Sequence, residues 1–470
     1  MKLYETYADE MADLIRQGVL PPGARLPSVR QAKQQRKVSA STVFEAYNLL
    51  ESRGMIHCRP RSGYYVNLRK GPQTPEPHTA APAAESRPVA ISDLVFEVLG
   101  STRDVGMVPL GSAFPSPQLF PLDKLAKALT PQMRSLAPAQ LTGHLTAGDE
   151  QLRRLIALRY GTSGLRLEPG ELVITNGAME ALNLSLQAIT QPGDVVVLES
   201  PTFYAALQVL ERLKLRAVEV ATHPRTGVDL DSLAEVLRQH PVKACWFMPQ
   251  FQNPLGSLMP VEAKQAMVRL LTQHHVPLIE DDVYGELYFG HHRSPPAKAF
   301  DTEGLVLHCS SFSKSLAPGY RVGWVAAGRF AQTIQRIKLM TSLATAVPSQ
   351  LAIAAYLETG GFDRHLRQMR LRLEDNASTA FRCIARYFPK GTKVTRPQGG
   401  YFLWVELPPD MDALDVHRRA VDSGISVAPG HLFSADQRFR HHLRLNYGFY
   451  EGTELATALQ QLGTLLISSR

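Results

Sequence analysis

Apolar residues recur in two different patterns along the chain. In the first 70 residues they recur at helical spacing, as in "YETYADEMADLI", and the helical runs are broken at "LPPG" and at a tight "RSG" turn. From about residue 89 onward, apolar runs typical of buried strands, such as "DVVVLES" and "GLVLHCSS", alternate with amphipathic helices such as "AMEALNLSLQAI". The first pattern predicts a small helical unit, and the second predicts a mostly parallel α/β sheet with its ligand at the carboxyl ends of the strands.

The small unit is predicted to contain three helices followed by a two-stranded hairpin. The helices cover "YETYADEMADLIRQG", "SVRQAKQQR" and "VSASTVFEAYNLLESRG", the last with Ser39 as its N-cap and Gly54 at its end. The segments "MIHCRP" and "YYVNL" flank the "RSG" turn and form the hairpin. This arrangement is a winged helix-turn-helix, whose second helix of the pair enters the major groove of DNA.

Excess positive charge is concentrated in the same unit. Residues 1–70 contain twelve Lys or Arg against six Asp or Glu, a net charge of +6, whereas the whole chain carries +8. A charge run usually means a solvated basic face. Concentration of most of the excess charge in one small unit instead favours a polyanionic partner.

Residues 71–88, "GPQTPEPHTAAPAAESRP", contain five prolines and no large apolar side chain. Such a segment cannot bury enough apolar surface to fold, so it is predicted to be an extended tether that reaches about 55 Å. The predicted organisation is therefore a DNA-binding domain at 1–70, a Pro/Ala-rich linker at 71–88, and an α/β domain at 89–470.

Several classes of protein are disfavoured by composition. No apolar run approaches the roughly 18 residues that span a bilayer, and four acids in the first thirteen residues argue against a signal peptide. The four cysteines (Cys58, Cys245, Cys309 and Cys383) are scattered and form no metal-like pair. They are interpreted as reduced thiols, so a cytoplasmic protein without a metal or membrane partner is expected.

Candidate chemistry lies where the predicted strands end. In "ITNGAMEAL" the amides of Gly177, Ala178 and Met179 would point at an anion at a helix start, although an ordinary βα turn is the alternative. Three further segments contribute polar side chains at strand ends. These segments are "QFQNPLG" with Asn253, "IEDDVYGEL" with Asp281 and Tyr284, and "SSFSKSLAPGYRVGW" with Ser311, Ser313, Lys314 and Arg321.

The segment from about Leu3 to Val66 resembles the DNA-binding domain of the GntR family of bacterial regulators, on "RLPSVRQ" and "VSASTVFEAYNLLESRGMIHCRPRSGYYV". Many members of that family carry Arg where this chain has Ala40 and Phe44, so the operator sequences of relatives do not transfer. The resemblance implies that Arg30 contacts phosphate or base, that Ser39, Ser41 and Thr42 face the groove, and that the wing residues Arg59, Arg61 and Gly63 approach the minor groove.

Residues 90–460 resemble the fold-type I pyridoxal-phosphate aminotransferases, most specifically in "SSFSKSLAPGYRVGW". The resemblance implies that Lys314 forms an imine with the cofactor aldehyde. It also implies that Asp281 keeps the ring nitrogen protonated, so that the ring acts as an electron sink. Tyr284 and Asn253 match the donors to the phenolic oxygen of the ring.

The remaining cofactor contacts follow from the same resemblance. The phosphate is expected to bind Ser311, Ser313 and Arg321, because a dianion requires hydroxyls, amides and a bidentate guanidinium. Phe203 falls where an aromatic ring stacks on the pyridine, with Tyr204 as the second candidate, and Arg444 in "HLRLNYG" falls where a substrate carboxylate binds. Gly143, followed by His144, replaces a tyrosine of many relatives, and "NPLG" replaces "NPTG". Both departures weaken efficient transamination more than cofactor binding.

The order of a GntR-type winged helix, a linker and an aminotransferase-like domain resembles the MocR subfamily of GntR-type regulators. This resemblance implies a pyridoxal 5'-phosphate-dependent transcriptional regulator that binds double-stranded operator DNA and senses the cofactor or its adduct with an amino acid or amine. It also implies a domain-swapped homodimer. Two alternatives remain open: a working aminotransferase with an ancillary DNA-binding domain, and a regulator with a vestigial pocket.

Overall fold

The computed structural model describes two compact units, Met1–Gln73 and Thr74–Arg470. The described residues are 3–16, 19–21, 23–36, 38–52, 55–59, 62–66, 74–82, 84–100, 106–139, 146–290 and 292–468. The predicted helix end at Gly54, the wing residue Arg61 and the pair Gly143 and His144 lie outside these residues, as does the side chain of Arg59.

The first unit is a winged helix-turn-helix, as predicted. Its helices are α1 (Leu3–Arg16), α2 (Val29–Arg36) and α3 (Ala40–Ser52), and its antiparallel hairpin joins β1 (Ile56–Arg59) to β2 (Gly63–Val66).

Side chains define the starts of the two helices of the helix-turn-helix. Helix α2 begins with a capping box, because the Ser28 hydroxyl accepts the amide of Gln31 at 3.2 Å and the Gln31 side chain accepts the amide of Ser28 at 2.9 Å. The Ser39 hydroxyl accepts the amide of Thr42 at 3.0 Å, which confirms Ser39 as the N-cap of α3. Both helix starts are thereby fixed by local hydrogen bonds.

The second unit is built on a large, mostly parallel sheet, which confirms the predicted fold class. The strand order is β3-β7-β6-β9-β10-β11-β12-β5, with β8 paired to β7. The strands β7, β6, β9, β10 and β11 run parallel, and β12 is antiparallel to both of its neighbours. The strands of this sheet are β3 (Arg87–Pro88), β5 (Leu172–Thr175), β6 (Val195–Ser200), β7 (Arg216–His223), β8 (Gly227–Val228), β9 (Val242–Phe247), β10 (Leu278–Asp281), β11 (Val306–Ser311) and β12 (Gly323–Ala326).

A smaller antiparallel sheet follows near the carboxyl terminus. Its order is β13-β14-β17-β16, and two further short strands, β4 and β15, pair in parallel. These strands are β4 (Val108–Pro109), β13 (Lys393–Val394), β14 (Phe402–Glu406), β15 (Ile425–Ser426), β16 (Ala428–Pro429) and β17 (His442–Asn446).

Helices cover the sheets of the second unit and bury its apolar cores. None of the helices in the described part of the chain is long and apolar enough to span a bilayer. The helices are α4 (Ser92–Gly100), α5 (Leu122–Ser135), α6 (Glu150–Gly161), α7 (Ala178–Ile189), α8 (Tyr204–Arg212), α9 (Leu230–Gln239), α10 (Val261–Gln273), α11 (Ala331–Thr341), α12 (Val347–Glu358), α13 (Gly361–Tyr387), α14 (Ala413–Asp422) and α15 (Gly452–Ile467).

The prediction of an extended tether is wrong for residues 74–88, whose described residues dock onto the second unit. Arg87 and Pro88 form the edge strand β3 and pair with β7. The Arg216 guanidinium donates to the hydroxyl and the carbonyl oxygen of Ser86 at 2.8 and 2.6 Å. Composition excluded a hydrophobic core for this segment, but it did not reveal that its backbone oxygens meet donors on a neighbouring surface.

The start of the docked segment contacts both sheets. The Thr74 carbonyl oxygen accepts from Arg396 at 2.9 Å, and the Pro75 carbonyl oxygen accepts the amide of Val394 in β13 at 2.8 Å. Glu76 forms an ion pair with Arg225, which lies between β7 and β8 of the large sheet. The connection to the first unit therefore begins at a point that is held by both sheets.

Replacing Arg216 tests the docking of this segment. We expect Arg216→Ala to lower the free energy of unfolding by about 1–3 kcal/mol, because two charge-assisted hydrogen bonds are lost. Protease cleavage within residues 74–88 should also become faster. Arg238→Ala is the matched control, since its ion pair with Glu235 is exposed, does not involve the docked segment and should contribute less than about 1 kcal/mol. Equal stability and equal cleavage in the two variants would contradict the docking.

Candidate active site

The predicted cofactor residues converge at the carboxyl edge of the large sheet. Asn253 follows β9, Asp281 ends β10, Tyr284 lies three residues further, and Lys314 follows β11. These strands are neighbours and run parallel, so their carboxyl ends lie at one edge. Asn253, Asp281 and Tyr284 are all buried.

Lys314 is held in an apolar and electropositive environment. Its Nζ donates to the carbonyl oxygen of Ala113 at 2.9 Å and lies 3.6 Å from the centroid of the Phe114 ring. Burial is the largest cause that lowers the pKa of Lys314 to about 7, and the nearby Arg444 and Arg321 lower it further, whereas Asp281 acts in the opposite direction. The amine is therefore substantially neutral near pH 7, as a nucleophilic lysine requires.

Asp281 is a buried carboxyl with unused hydrogen-bonding capacity. Burial and the neighbouring Asp282 raise the pKa of Asp281 to about 7, against the stabilising effect of the Val283 amide and the Trp246 indole. Its Oδ1 has no hydrogen-bond partner among the described residues. A cationic N–H donor at this position would satisfy the oxygen and favour the ionised carboxylate.

Arg444 connects the small sheet to the large one. It lies in β17, and its guanidinium donates to Asn253 Oδ1 at 3.2 Å and to the Gly111 carbonyl oxygen at 2.6 Å. The residue is 1% exposed. No carboxylate among the described residues forms an ion pair with it, and its Nε has no hydrogen-bond partner there. A buried guanidinium without an anionic partner is costly, and an added carboxylate would compensate it.

Aromatic side chains surround the same region. The Phe402 ring centroid lies 4.4 Å from the guanidinium carbon of Arg444, and the Tyr284 ring packs edge-on against Tyr401 at a centroid distance of 5.5 Å. Burial raises the pKa of Tyr284 above its ordinary value, so its hydroxyl keeps its proton and can donate it in a hydrogen bond. Phe203 directly precedes α8 and is half-buried at this edge.

Arg321, Ser311 and Ser313 form the other end of the site. Arg321 Nη1 donates to the Ser313 hydroxyl at 3.3 Å, and the amide of Ser313 donates to the Ser311 hydroxyl at 3.3 Å. Arg321 adopts a left-handed backbone conformation with φ +53°, two residues before β12. Two hydroxyls and a guanidinium are thereby placed together, which is the donor set that a phosphate dianion requires.

Gly177 lies beside Arg321 at this end of the site, and its lack of a side chain leaves room for the Arg321 guanidinium. A Cβ at Gly177 would lie 2.4 Å from Arg321 Nη2, and the residue has φ +80°. The prediction that the Gly177 amide points at an anion is wrong, because this amide donates to the Thr175 carbonyl oxygen at 2.9 Å. The amides of Ala178 and Met179 lie in the first turn of α7, where helix geometry leaves N–H groups without intrahelical acceptors.

Several residues of the site were not found from the sequence. Tyr401 donates to the same Ala113 carbonyl oxygen as Lys314, at 3.1 Å, and Trp246 contacts Asp281 from the neighbouring strand β9. The glycine pair before Tyr401 in "QGGYFLW" was the only local signal. No local sequence signal indicated the contact of Phe114 with Lys314, because about 200 residues separate them in the chain.

The predicted DNA-binding residues that the structure describes lie on α2, at the start of α3 and in the hairpin of the first unit. Arg30 and Ser41 are exposed and Thr42 is half-buried. The Ser39 hydroxyl lies 2.8 Å from that of Ser41 and 2.7 Å from that of Thr42, so all three hydroxyls form one cluster at the start of α3. Gly63 has φ +106° at the start of β2, a backbone conformation that glycine adopts without strain.

Comparison with known families agrees with both units. Residues 3–66 match the bacterial regulatory proteins of the gntR family, and residues 116–460 match the aminotransferases of class I and II. The HTH-type transcriptional regulator YdcR of Escherichia coli is 45% identical over 468 residues, which cover 99% of each chain.

Solved structures match the second unit. A kynurenine aminotransferase of Pyrococcus horikoshii has a TM-score of 0.75 at 28% identity. The match covers 80% of this chain and 94% of the aminotransferase chain. The α-aminoadipate aminotransferase LysN of Thermus thermophilus, complexed with N-(5'-phosphopyridoxyl)-L-leucine, has a TM-score of 0.72 at 30% identity. The match covers 81% of this chain and 99% of LysN. With a gntR-family unit and an aminotransferase unit in one chain, and a relative that matches both along its full length, the protein belongs to the MocR subfamily of GntR-type transcriptional regulators.

Proposed function

We propose that this regulator binds operator DNA through its first unit and responds to an amino compound through pyridoxal 5'-phosphate held in its second unit. The observation that carries the proposal is the group of buried, incompletely paired side chains around Lys314. A neutral amine, a carboxyl with a free oxygen and a guanidinium without an anion lie together in a chain that also contains a winged helix. Such a group is costly unless a ligand completes it.

The residues fit pyridoxal phosphate in chemical terms. Asp281 Oδ1 and Asn253 Nδ2 are buried and have no hydrogen-bond partners among the described residues, and they match the ring N–H and the phenolic oxygen of the cofactor, respectively. Lys314 would hold the aldehyde carbon, and Ser311, Ser313 and Arg321 would hold the phosphate, with Ala178 and Met179 at the helix start and Phe203 against the ring. The cofactor supplies an electron-withdrawing ring and an aldehyde that reacts reversibly with amines.

The effector class follows from Arg444 and Lys314. Its amine would compete with Lys314 for the cofactor aldehyde, and its carboxylate would neutralise Arg444. Binding of that carboxylate would alter the contact between Arg444 and Asn253, which joins the small sheet to the large one. An effector changes operator affinity only through its differential affinity for the two states, with a typical coupling of about 1–3 kcal/mol, or roughly 5- to 150-fold.

A homodimer in the bacterial cytoplasm with exchanged DNA-binding units is part of the proposal. Exposed apolar side chains on the second unit support self-association, because exposed apolar surface on a soluble protein often marks a contact surface. Met340 is 77% exposed and Phe96 is 70% exposed.

A working aminotransferase is the second candidate. The neutral amine of Lys314 favours it, because the same property serves turnover. Turnover near the enzyme median of about 10 s⁻¹ with one defined amino donor, together with no operator binding, would favour the enzyme over the regulator.

Borohydride reduction tests the anchoring residue. We expect reduction of the protein with pyridoxal phosphate to fix the cofactor on the peptide that contains Lys314, and Lys314→Ala to prevent this labelling. The buried lysines Lys264 and Lys338 are internal controls, since burial also lowers the pKa of each to about 8. Label on either control, or none on Lys314, would contradict the assignment.

The pH dependence of cofactor attachment tests the environment of Lys314. With a pKa of about 7, the neutral fraction of the amine rises from about one tenth at pH 6 to about nine tenths at pH 8. The initial rate of attachment should therefore rise about tenfold over this range and then remain level to pH 9. N-acetyl-lysine, measured in parallel, corrects for ionisation of the cofactor. A rate that still rises tenfold per pH unit at pH 9 would indicate an ordinary lysine.

DNA binding tests the regulator directly. We expect the protein to bind the DNA upstream of its own gene, and binding to change when pyridoxal phosphate and members of a panel of amino acids and amines are added. Arg30→Ala should weaken binding and lower the slope of log affinity against log salt by about one, because one phosphate contact is lost. Binding that is unaffected by this change and by every compound would refute the proposal.

A further inference from the structure

Helix α3 presents one large apolar side chain on its solvent face. The residues Val43, Ala46, Tyr47 and Leu50 form the inner face of the helix and are all fully buried. The Tyr47 hydroxyl donates to the Pro27 carbonyl oxygen at 2.9 Å, which fixes the rotation of the helix about its axis. Phe44, one residue after Val43, lies about 100° further around the helix; it is 51% exposed and lies outside the apolar core of the unit.

The residues next to Phe44 on this face are small or polar. Ser41 precedes it by three positions and Asn48 follows it by four, and both are exposed. Residues three and four apart are neighbours on a helix surface, so Ser41, Phe44 and Asn48 form a single stripe. We refer to these three residues as the reading stripe. Glu51, one turn further, is directed to the wing, where its carboxylate accepts the amide of Cys58 at 2.8 Å.

We propose that Phe44 and Asn48 read neighbouring T·A base pairs in the operator, with the Phe44 ring against a thymine methyl group and the Asn48 amide on an adenine edge. The major groove presents this methyl group only at thymine, and it presents the adjacent donor and acceptor that a carboxamide can contact only at adenine. A phenyl ring has no hydrogen-bonding group, so it can distinguish bases only by such apolar contact.

The spacing of the two side chains fits base pairs that are one or two steps apart. Four residues of helix correspond to a rise of about 6 Å, and successive base pairs are about 3.4 Å apart. Phe44 and Asn48 therefore reach positions one or two base pairs apart. This inference rests on the proposed DNA-binding function and adds the base preference at two positions of each half-site.

Charge complementarity supports DNA as the partner of this stripe. Arg30 and Lys33 on α2 are exposed, and no carboxylate among the described residues pairs with either. Arg36 differs, since it pairs with Glu10 at 2.9 Å. Arg30 and Lys33 would supply the phosphate contacts that position the helix, and the reading stripe would supply the base preference.

Replacement of thymine by deoxyuridine tests the role of Phe44, because it removes only the methyl group. Duplexes that bind the full-length protein would first be selected from a random pool, and each thymine in the selected site would then be replaced in turn. We expect one replacement to weaken binding about fourfold, which corresponds to one buried methyl group. Phe44→Ala should bind more weakly and should not respond to that replacement.

Two controls separate base reading from other effects. Leu3→Ala removes another exposed apolar side chain of the same unit, 60% exposed, and should leave affinity and the response to deoxyuridine unchanged. Phe44→Ala should also keep the salt slope of the parent, whereas Arg30→Ala should lower it.

Asn48→Ala should reduce the preference for adenine by roughly 5- to 150-fold.

The outcomes distinguish this inference from the proposed function. A selected site without T·A at the relevant positions, or equal responses to deoxyuridine in the parent and Phe44→Ala, would overturn the reading role while DNA binding stands. If Phe44→Ala binds DNA as tightly as the parent does, the face serves another purpose and the inference fails. Failure of every duplex to bind would refute the proposed function itself.

Discussion

The carboxyl ends of parallel strands meet at one edge of a sheet, and the candidate site depends on this constraint. It brings together Asn253, Asp281 and Lys314, which end or follow three neighbouring strands. Contacts from distant segments complete the site: Lys314 donates to a carbonyl 201 residues away, and Arg444 of the small sheet donates to a side chain 191 residues away. The contacts of Lys314 and Arg444 therefore require distant segments of the second unit to be in place. A ligand that contacts all of these segments therefore stabilises the whole unit by mass action.

The features that depend on local sequence were predictable. The helix Ala178–Ile189 coincides with the segment "AMEALNLSLQAI", and Ser39 caps α3, because periodicity and capping act over a few residues. The site residues that terminate strands were also found from their position after apolar runs. The contacts of Tyr401, Trp246 and Phe114 were not, since they arise from packing between distant segments. The Gly177 amide was misassigned because its acceptor, the Thr175 carbonyl oxygen, belongs to the local turn and not to a ligand.

Three lysines with lowered pKa values show why a shifted pKa does not identify a site by itself. Burial lowers the pKa of Lys264, Lys338 and Lys314 alike. Lys338 donates to two carbonyl oxygens and a threonine hydroxyl, and Lys264 donates to a serine hydroxyl and a carbonyl oxygen, so both join segments of the fold. Lys314 has a single hydrogen-bond acceptor and lies near two arginines and a carboxyl with a free oxygen. The surroundings therefore distinguish a chemical role from a structural one.

The docked segment after residue 73 has a mechanical consequence. Thr74 and Pro75 are hydrogen-bonded to residues of the small sheet, while Glu76 is paired with an arginine beside the large sheet. Three successive residues thus add a bridge between the two sheets, which also meet through a shared apolar core and through Arg444. If the sheets shift against each other, these bonds must stretch, rotate or break, so displacement is converted into force on the residues at which the second unit begins.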